Sequence, residues 1–302
     1  MAWSSADIPL GERTLYTADK PIIVALNAIE SPQIARWDAN GSLADGADIA
    51  ATDWPTTRAY DRLTGLRTKP NAAATTQYLC FQLAATPEDF DCLFILDHNL
   101  GTIGGVTVSL EIADDNTFTT NLTQIESRAP GSSNKRIASF LLNHTGGAVQ
   151  RYSGVPYLRL KMTKGSSFTP EIGEVWLGRR VQLRYKANVP WDPSHFVSDV
   201  ADHVTRSGIL TRTIRHRGKR IIEASFNPDV AADKTDLITW FQDTNHGSKP
   251  FIWCEDPATT PSDYNVMTLD DAELVFPSVG PFEREIQIKA TENGPDFLEL
   301  GV

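Results

Sequence analysis

Cysteine, long apolar runs, positive charge and metal-binding motifs are all scarce in this 302-residue chain, and each scarcity excludes something. Three cysteines (Cys80, Cys92, Cys254) cannot all pair, and each sits in an apolar strand-like run, YLCFQL, DCLFIL or FIWCED. They read as small buried residues, not as a disulfide frame, ligands or nucleophiles. No apolar stretch approaches the ~20 residues that cross a bilayer, so no membrane insertion is expected. The amino terminus lacks the basic start and apolar run of a signal peptide, so synthesis in a cytoplasm is expected. A formal net charge of −10 argues against nucleic acid or an anionic membrane as partner. The six histidines form no H-E-x-x-H pair, no C-x-x-C is present, and no G-x-S-x-G elbow offers a nucleophile. No repeat of 20 to 50 residues sets up a solenoid or propeller.

What is present is the composition of an ordinary globular protein, 41% hydrophobic and 22% charged, at a length that suits two domains. Residues 1–20 read as an irregular arm. From PIIVALNAIE onward, short apolar runs alternate with turn-rich segments: YLCFQLA, DCLFILDHNL, GVTVSLEIA, RIASFLL, YLRLKM and EIGEVWLG. This spacing predicts an all-β sandwich over residues 21–183. In GVTVSLEIA, Val106, Val108, Leu110 and Ile112 fall on every second position, so one face is buried while Thr107, Ser109 and Glu111 look outward. LFIL is continuously apolar and predicts a central strand covered on both faces. Asp114-Asp115-Asn116 supplies a turn.

The character changes after Val181. RYKANVPWDPSHF reads as a linker around residues 184–200, and GILTRTIRHRGKRIIEASF as two β runs hinged at Arg217-Gly218. A helix follows, with Asn227 as cap, Pro228 at its first position and an apolar stripe of Val230, Leu237, Ile238, Trp240 and Phe241, stopped at His246-Gly247. PFIWCED and EREIQIKAT are strand-like. The chain therefore reads as mainly β: a sandwich, then a smaller α+β domain with one main helix over residues 184–302.

Several constellations carry residue types that chemistry uses. Asp97-His98 has no nucleophile beside it and reads as a strand corner. Asp38, Asn40, Asp45 and Asp48 make a loop rich in oxygen donors, which a hard cation such as Ca2+ requires; it lacks the terminal glutamate and spacing of an EF-hand loop, and a polar turn accounts for the same residues. Gly101-x-x-Gly104-Gly105 lacks the Lys-Ser/Thr of a phosphate loop and reads as a turn between strands. Between Arg206 and Arg220 there are six Lys/Arg and no Asp/Glu, while the remainder of residues 184–302 has six against nineteen. That split points to an inter-subunit contact through Arg212, Arg215, Arg217, Lys219 and Arg220, with a solvated hairpin face as the plain alternative. The aromatic set Trp191, Trp240, Phe241, Phe251 and Trp253 reads as core rather than as a sugar platform.

YLRLKMTKGSSFTPEIGEVWLG, with FILDHNLG and VTVSLEIADDNTF, resembles the closing strands and corner of discoidin-like, galactose-binding-like β-sandwiches of the jelly-roll kind. Followed by WLGRRVQL and a module running from the basic stretch through ITWFQ to PFIWCEDP, it is similar to minor tail and distal-tail structural proteins of long-tailed bacteriophages. The resemblance implies a non-enzymatic virion component that assembles with copies of itself in a ring. Its other partners would be tail tube, hub or tape-measure proteins and host-surface carbohydrate, met through loops at one end of the sandwich. It also implies a calcium ion at a structural loop, which points to Asp38, Asn40, Asp45 and Asp48. A stand-alone carbohydrate-binding module, a capsid-decorating protein, and a polysaccharide-cleaving enzyme using Asp97, Glu174 or Glu223 are the other readings.

Overall fold

A computed structural model of the chain describes residues 4–7, 22–25, 27–44, 46–61, 66–84, 88–130, 137–141, 143–144, 148–182, 195–204, 210–226, 231–254, 264–270 and 286–292. In chain order the first elements are β1 (Ser4–Asp7), β2 (Ile22–Val24), β3 (Ile34–Asp38), a 3-10 turn (Thr56–Ala59), β4 (Ala74–Gln82), β5 (Cys92–Leu96), a one-turn helix α1 (Leu100–Ile103), β6 (Thr107–Ala113) and β7 (Thr123–Arg128). There follow β8 (Ile137–Leu141), β9 (Asn143–His144), β10 (Ala148–Ser153), β11 (Tyr157–Phe168), β12 (Glu174–Gly178) and β13 (Val181–Gln182). The last are β14 (His195–Val204), β15 (Leu210–Phe226), α2 (Ala231–Asp243), β16 (Phe251–Cys254), β17 (Tyr264–Leu269) and β18 (Ile286–Glu292). The protein is mainly β, and the chain divides into two compact units: Met1–Thr14 with Leu26–Arg180, and Leu15–Ala25 with Val181–Val302.

The first unit is a β-sandwich. A five-stranded antiparallel sheet, β3-β4-β11-β6-β7, faces a three-stranded sheet, β12-β5-β8, and a small sheet, β1-β10-β9, adds the amino-terminal strand. Period-two patterning fixes which side chains meet. Leu79, Leu160 and Leu110 form a row across β4, β11 and β6, and pack with Leu93, Ile95, Val175 and Leu177 of the opposite sheet. Each such buried side chain contributes about 1.5–3 kcal/mol. β5 is central in its sheet and buried at all five positions, as its unbroken apolar run predicts.

Two expectations change here. Ser4–Asp7, expected to be irregular, pairs with β10 from Ser4↔Ser153 to Asp7↔Gln150. Val106, just before β6, and Val108, Leu110 and Ile112 on it are buried as predicted, but Ser109 and Glu111 are buried too. The reason is a second layer over the outer face of the five-stranded sheet: Leu43 and Phe118 from two loops close on Cys80 and Ala113. Arg159 holds that layer. Its Nε donates to Glu111 at 2.6 Å and its Nη1 to the Gly41 carbonyl at 2.6 Å, and its guanidinium lies 5.0 Å from the Tyr78 ring and 4.7 Å from the Phe118 ring.

The second unit is a seven-stranded antiparallel sheet, β13-β2-β16-β17-β18-β15-β14, with α2 packed on it. Its core gathers Ile23, Ile222, Leu237, Trp240, Phe251, Trp253, Met267 and Ile288. Trp240 meets Phe251 edge to face at 5.2 Å. The expected run at 21–30 divides, since Ile22–Val24 pair with β16 and β13 whereas residues from Leu26 onward belong to the first unit. The helix ends where expected. Asn245, His246 and Gly247 take positive φ (48°, 56° and 84°), and the His246 N–H bonds the Phe241 carbonyl at 3.0 Å. Ile238, placed on the apolar stripe, is 36% exposed, because the buried face runs through Leu237 and Trp240. Asn227, Pro228, Val230 and Trp191 lie outside the described residues.

The expected turn at Arg217-Gly218 is a correction. β15 runs unbroken through Gly218, and its partner over that stretch is β14, which begins at His195 inside the segment read as a linker. The pairing slips between Val197↔Lys219 and Asp199↔His216, so Arg217 and Gly218 stand at a bulge. A glycine inside a strand marks a bulge as readily as a turn.

Candidate functional site

Chemistry-bearing side chains converge at one end of the sandwich, and strand register puts them there. β5 and β12 run antiparallel with Leu96 opposite Glu174, so the residues after Leu96 and those before Glu174 emerge together. At the other end of the same two strands, Cys92 stands opposite Gly178, and the chain leaves the unit at Arg180. A third segment, 66–70, joins the first end. Thr68 and Ile172 exchange backbone hydrogen bonds of 2.7 and 3.0 Å, and the buried Thr68 hydroxyl accepts from Trp37 Nε1 at 2.8 Å while donating to the Trp54 carbonyl at 3.0 Å.

Arg67 is the centre of this end. Its Nε and Nη2 grip Asp97 at 2.9 and 3.0 Å, and its Nη1 donates to Glu171 at 3.0 Å. Such bidentate, charge-assisted pairs fix orientation as well as energy. The hydrogen bond to Asp97, with Glu171 adding to it, outweighs burial and raises the Arg67 pKa. Asp97 spends both carboxylate oxygens there and sits at φ 47°, a left-handed conformation that aspartate tolerates better than most residues. Gly173 lets it fit, since a Cβ there would meet Asp97 Cβ at 2.9 Å.

Lys69 lies two residues beyond Arg67 in extended chain, hence on the same side. Its ammonium is 4.1 Å from the Trp54 ring centroid and 3.9 Å from Glu171 Oε1. Arg58, in the 3-10 turn, donates from Nη1 to the Arg67 carbonyl at 3.2 Å. The side chains of Arg67, Lys69 and Glu171 keep 25%, 27% and 26% of their surface, Trp54 is half-buried, and Leu66 beside them is 43% exposed. This is a preorganised rim with one aromatic ring, one exposed leucine and fixed donors and acceptors.

His98 stays out of it. The ring is buried, Nδ1 accepts the Leu100 N–H at 3.2 Å, and Nε2 has no hydrogen-bond partner among the described residues. Burial pushes its pKa down to about 4, with Arg67 acting in the same direction and Asp97 against it. It is a neutral corner residue that starts α1, the one-turn helix occupying what reads as a plain turn at Gly101–Gly104.

The oxygen-rich loop is organised from within. Asp38 Oδ1 accepts the N–H groups of Asn40 and Ser42 at 2.8 and 2.9 Å, and Asp48 accepts those of Trp37 and Ala50, both at 3.0 Å, and the Thr56 hydroxyl at 2.7 Å. Arg36 donates to the Ser42 carbonyl at 2.8 Å and to the Gly46 carbonyl, so a guanidinium fills the ring of loop carbonyls. Asp45 lies outside the described residues. Among the described residues no three His, Cys, Asp or Glu side chains are grouped to hold a metal.

The other sequence candidates fall elsewhere. Arg212, Arg215, Arg217, Lys219 and Arg220 lie along β15, where Arg212 stands opposite Asp202 and His216 opposite Asp199 of the same chain, and the Arg220 N–H bonds Glu292 at 3.0 Å. The side chains of the first four lie outside the described residues. Glu174 is fully buried, accepting from Asn27 Nδ2 at 3.4 Å, and Glu223 is in the second unit, 2.8 Å from Lys289. All three cysteines are buried, and burial raises the thiols of Cys80 and Cys92 well above their ordinary pKa. Trp240, Phe251 and Trp253 are core. Among the described residues no helix is long and apolar enough to cross a membrane.

Sequence reading missed Trp54, Arg58, Arg67, Lys69 and Glu171. One signal was available: in Arg67-Thr68-Lys69-Pro70 the proline holds the preceding residue extended, which sets the two cations on one side.

No protein-family model matches the chain, and no curated protein matches it. Among solved structures it is similar to chitosan-binding module 1 from a chitosanase/glucanase of Paenibacillus sp. IK-5, at 13% identity and a TM-score of 0.33 over 50% of this chain and 98% of that one. It is similar also to CpGH89CBM32-6 of Clostridium perfringens, at 15% identity and 0.33 over 50% and 98%. A mutant lectin binding domain of lectinolysin complexed with Lewis b gives 16% and 0.34 over 51% and 96%. Identities this low with TM-scores under 0.5 decide nothing about function.

Proposed function

We propose that the protein is a non-catalytic carbohydrate-binding protein whose first unit, a galactose-binding-like sandwich, takes sugar at the Trp54–Arg67–Glu171 end. The carrying observation is the rim itself: a half-buried indole beside a guanidinium locked between two carboxylates. A sugar needs a flat apolar surface for its C–H face and hydrogen-bonding groups whose geometry is set beforehand. Arg67 is held in place without losing all its N–H donors, and Glu171 keeps a quarter of its surface for hydroxyl donors. Catalysis of glycoside cleavage needs a pair of carboxyl groups, one of them protonated to serve the leaving oxygen, whereas both carboxylates of this rim are held by Arg67. A glycan array with the whole chain tests this: retained glycans are expected, and Trp54→Ala weakens them by at least about tenfold, roughly 1.4 kcal/mol. An empty array, or reducing-end release from a bound polysaccharide, contradicts it.

A second reading, a ring-forming bacteriophage tail subunit, is favoured by one feature of the second unit. β14 is ten residues long and last in its sheet order, the arrangement that admits a strand from another copy. Light scattering on the purified chain decides between assemblies of several copies and a monomer; a monomer at all concentrations removes this reading.

A further inference from the structure

The charges at the sandwich end are unevenly paired, and the imbalance specifies the ligand. Arg67 is neutralised by Asp97 and Glu171. Among the described residues Lys69 has only the long 3.9 Å contact with Glu171, which already serves Arg67, and otherwise rests on Trp54. Arg58 gives one hydrogen bond to a backbone carbonyl, and among the described residues no carboxylate pairs with it. Arg58 and Lys69 thus keep donors that no carboxylate among the described residues takes up at short range, and Asp48 of the neighbouring loop is occupied by Trp37, Ala50 and Thr56.

We infer that the sugar bound here carries a carboxylate, as uronic acids do, seated by Arg58 and Lys69 while the pyranose ring lies against Trp54. The inference rests on the carbohydrate reading above. A planar carboxylate matches the guanidinium fork of Arg58, which has donors to spare. The Lys69 ammonium lies over the indole, so a sugar carboxylate that reaches the ring edge meets the cation there. A neutral sugar leaves both cations without a new partner; an acidic one gives each a partner that the fold withholds.

The test is calorimetric titration of the whole chain with trigalacturonate, with galactotriose, and with polyglutamate as a polyanion that is not a sugar. Trigalacturonate is expected to bind at least tenfold more tightly than galactotriose, with the difference shrinking as salt rises. Arg58→Gln and Lys69→Gln, both at half-buried positions and checked for an unchanged unfolding midpoint, should each lower trigalacturonate affinity several-fold more than they lower galactotriose affinity. Equal binding of the two sugars, a preference that survives both substitutions, or equal competition by polyglutamate overturns the inference. If the array retains only neutral glycans, this inference falls while the carbohydrate reading stands; if it retains none, both fall.

Discussion

At the scale of single residues, buried charge and a buried imidazole set the most direct consequences. His98 has a folded-state pKa near 4 against an ordinary 6.5. The unfolded chain therefore binds a proton that the folded chain refuses, and stability falls as pH drops from about 6.5 to about 4. The loss from this residue alone reaches about 3 kcal/mol, at roughly 1.36 kcal/mol per unit. Urea denaturation at pH 7 and pH 4.5 should show it, and His98→Gln should flatten the difference. Arg159 makes a second case. Its pair with Glu111 is buried under two loops, and Lys161, 3.5 Å from Glu111, compensates only in part. Arg159→Ala should cost about 3 kcal/mol by stranding a carboxylate, and the double change with Glu111→Gln should recover part of it in a thermodynamic cycle.

At the scale of elements, the Asp97 corner depends on the close approach of β5 and the segment leading into β12. Gly173→Ala places a Cβ 2.9 Å from Asp97 Cβ and 3.1 Å from the Leu96 carbonyl. The strands must part, which should cost about 1–3 kcal/mol and disturb the Arg67 grip, so stability and sugar affinity fall together. Strands with strong periodicity were legible in advance: β5 through its unbroken apolar run and β6 through its alternation. β3 and β7 were not, because IARWD and TQIESR carry their polar residues on an open face and show too few apolar positions to register. The glycine at 218 was read as a turn because composition does not distinguish a bulge from a reversal; pairing with β14 does. The candidate site was illegible for a related reason: Trp54, Arg67, Asp97 and Glu171 are spread over more than a hundred residues and meet through the β5–β12 register and the Thr68–Ile172 bridge.

At the scale of the whole molecule, the two units are not consecutive in sequence. β2 comes from the amino-terminal segment yet lies between β13 and β16 of the second unit, contributing Ile23 to its core. A chain beginning at Leu26 should therefore lose hydrogen-exchange protection across Phe251–Cys254, although every other strand of that sheet remains. Retained protection there would contradict the assigned sheet order. Whether sugar binds at one end of the first unit is decided by hydrogen exchange of the intact chain with and without the tightest saccharide from the array. Slowed exchange is expected in residues 51–60, 66–71 and 169–173, and its loss in Trp54→Ala; protection confined to the β14–β15 hairpin or to the loop around Asp38, with these segments unchanged, would contradict it.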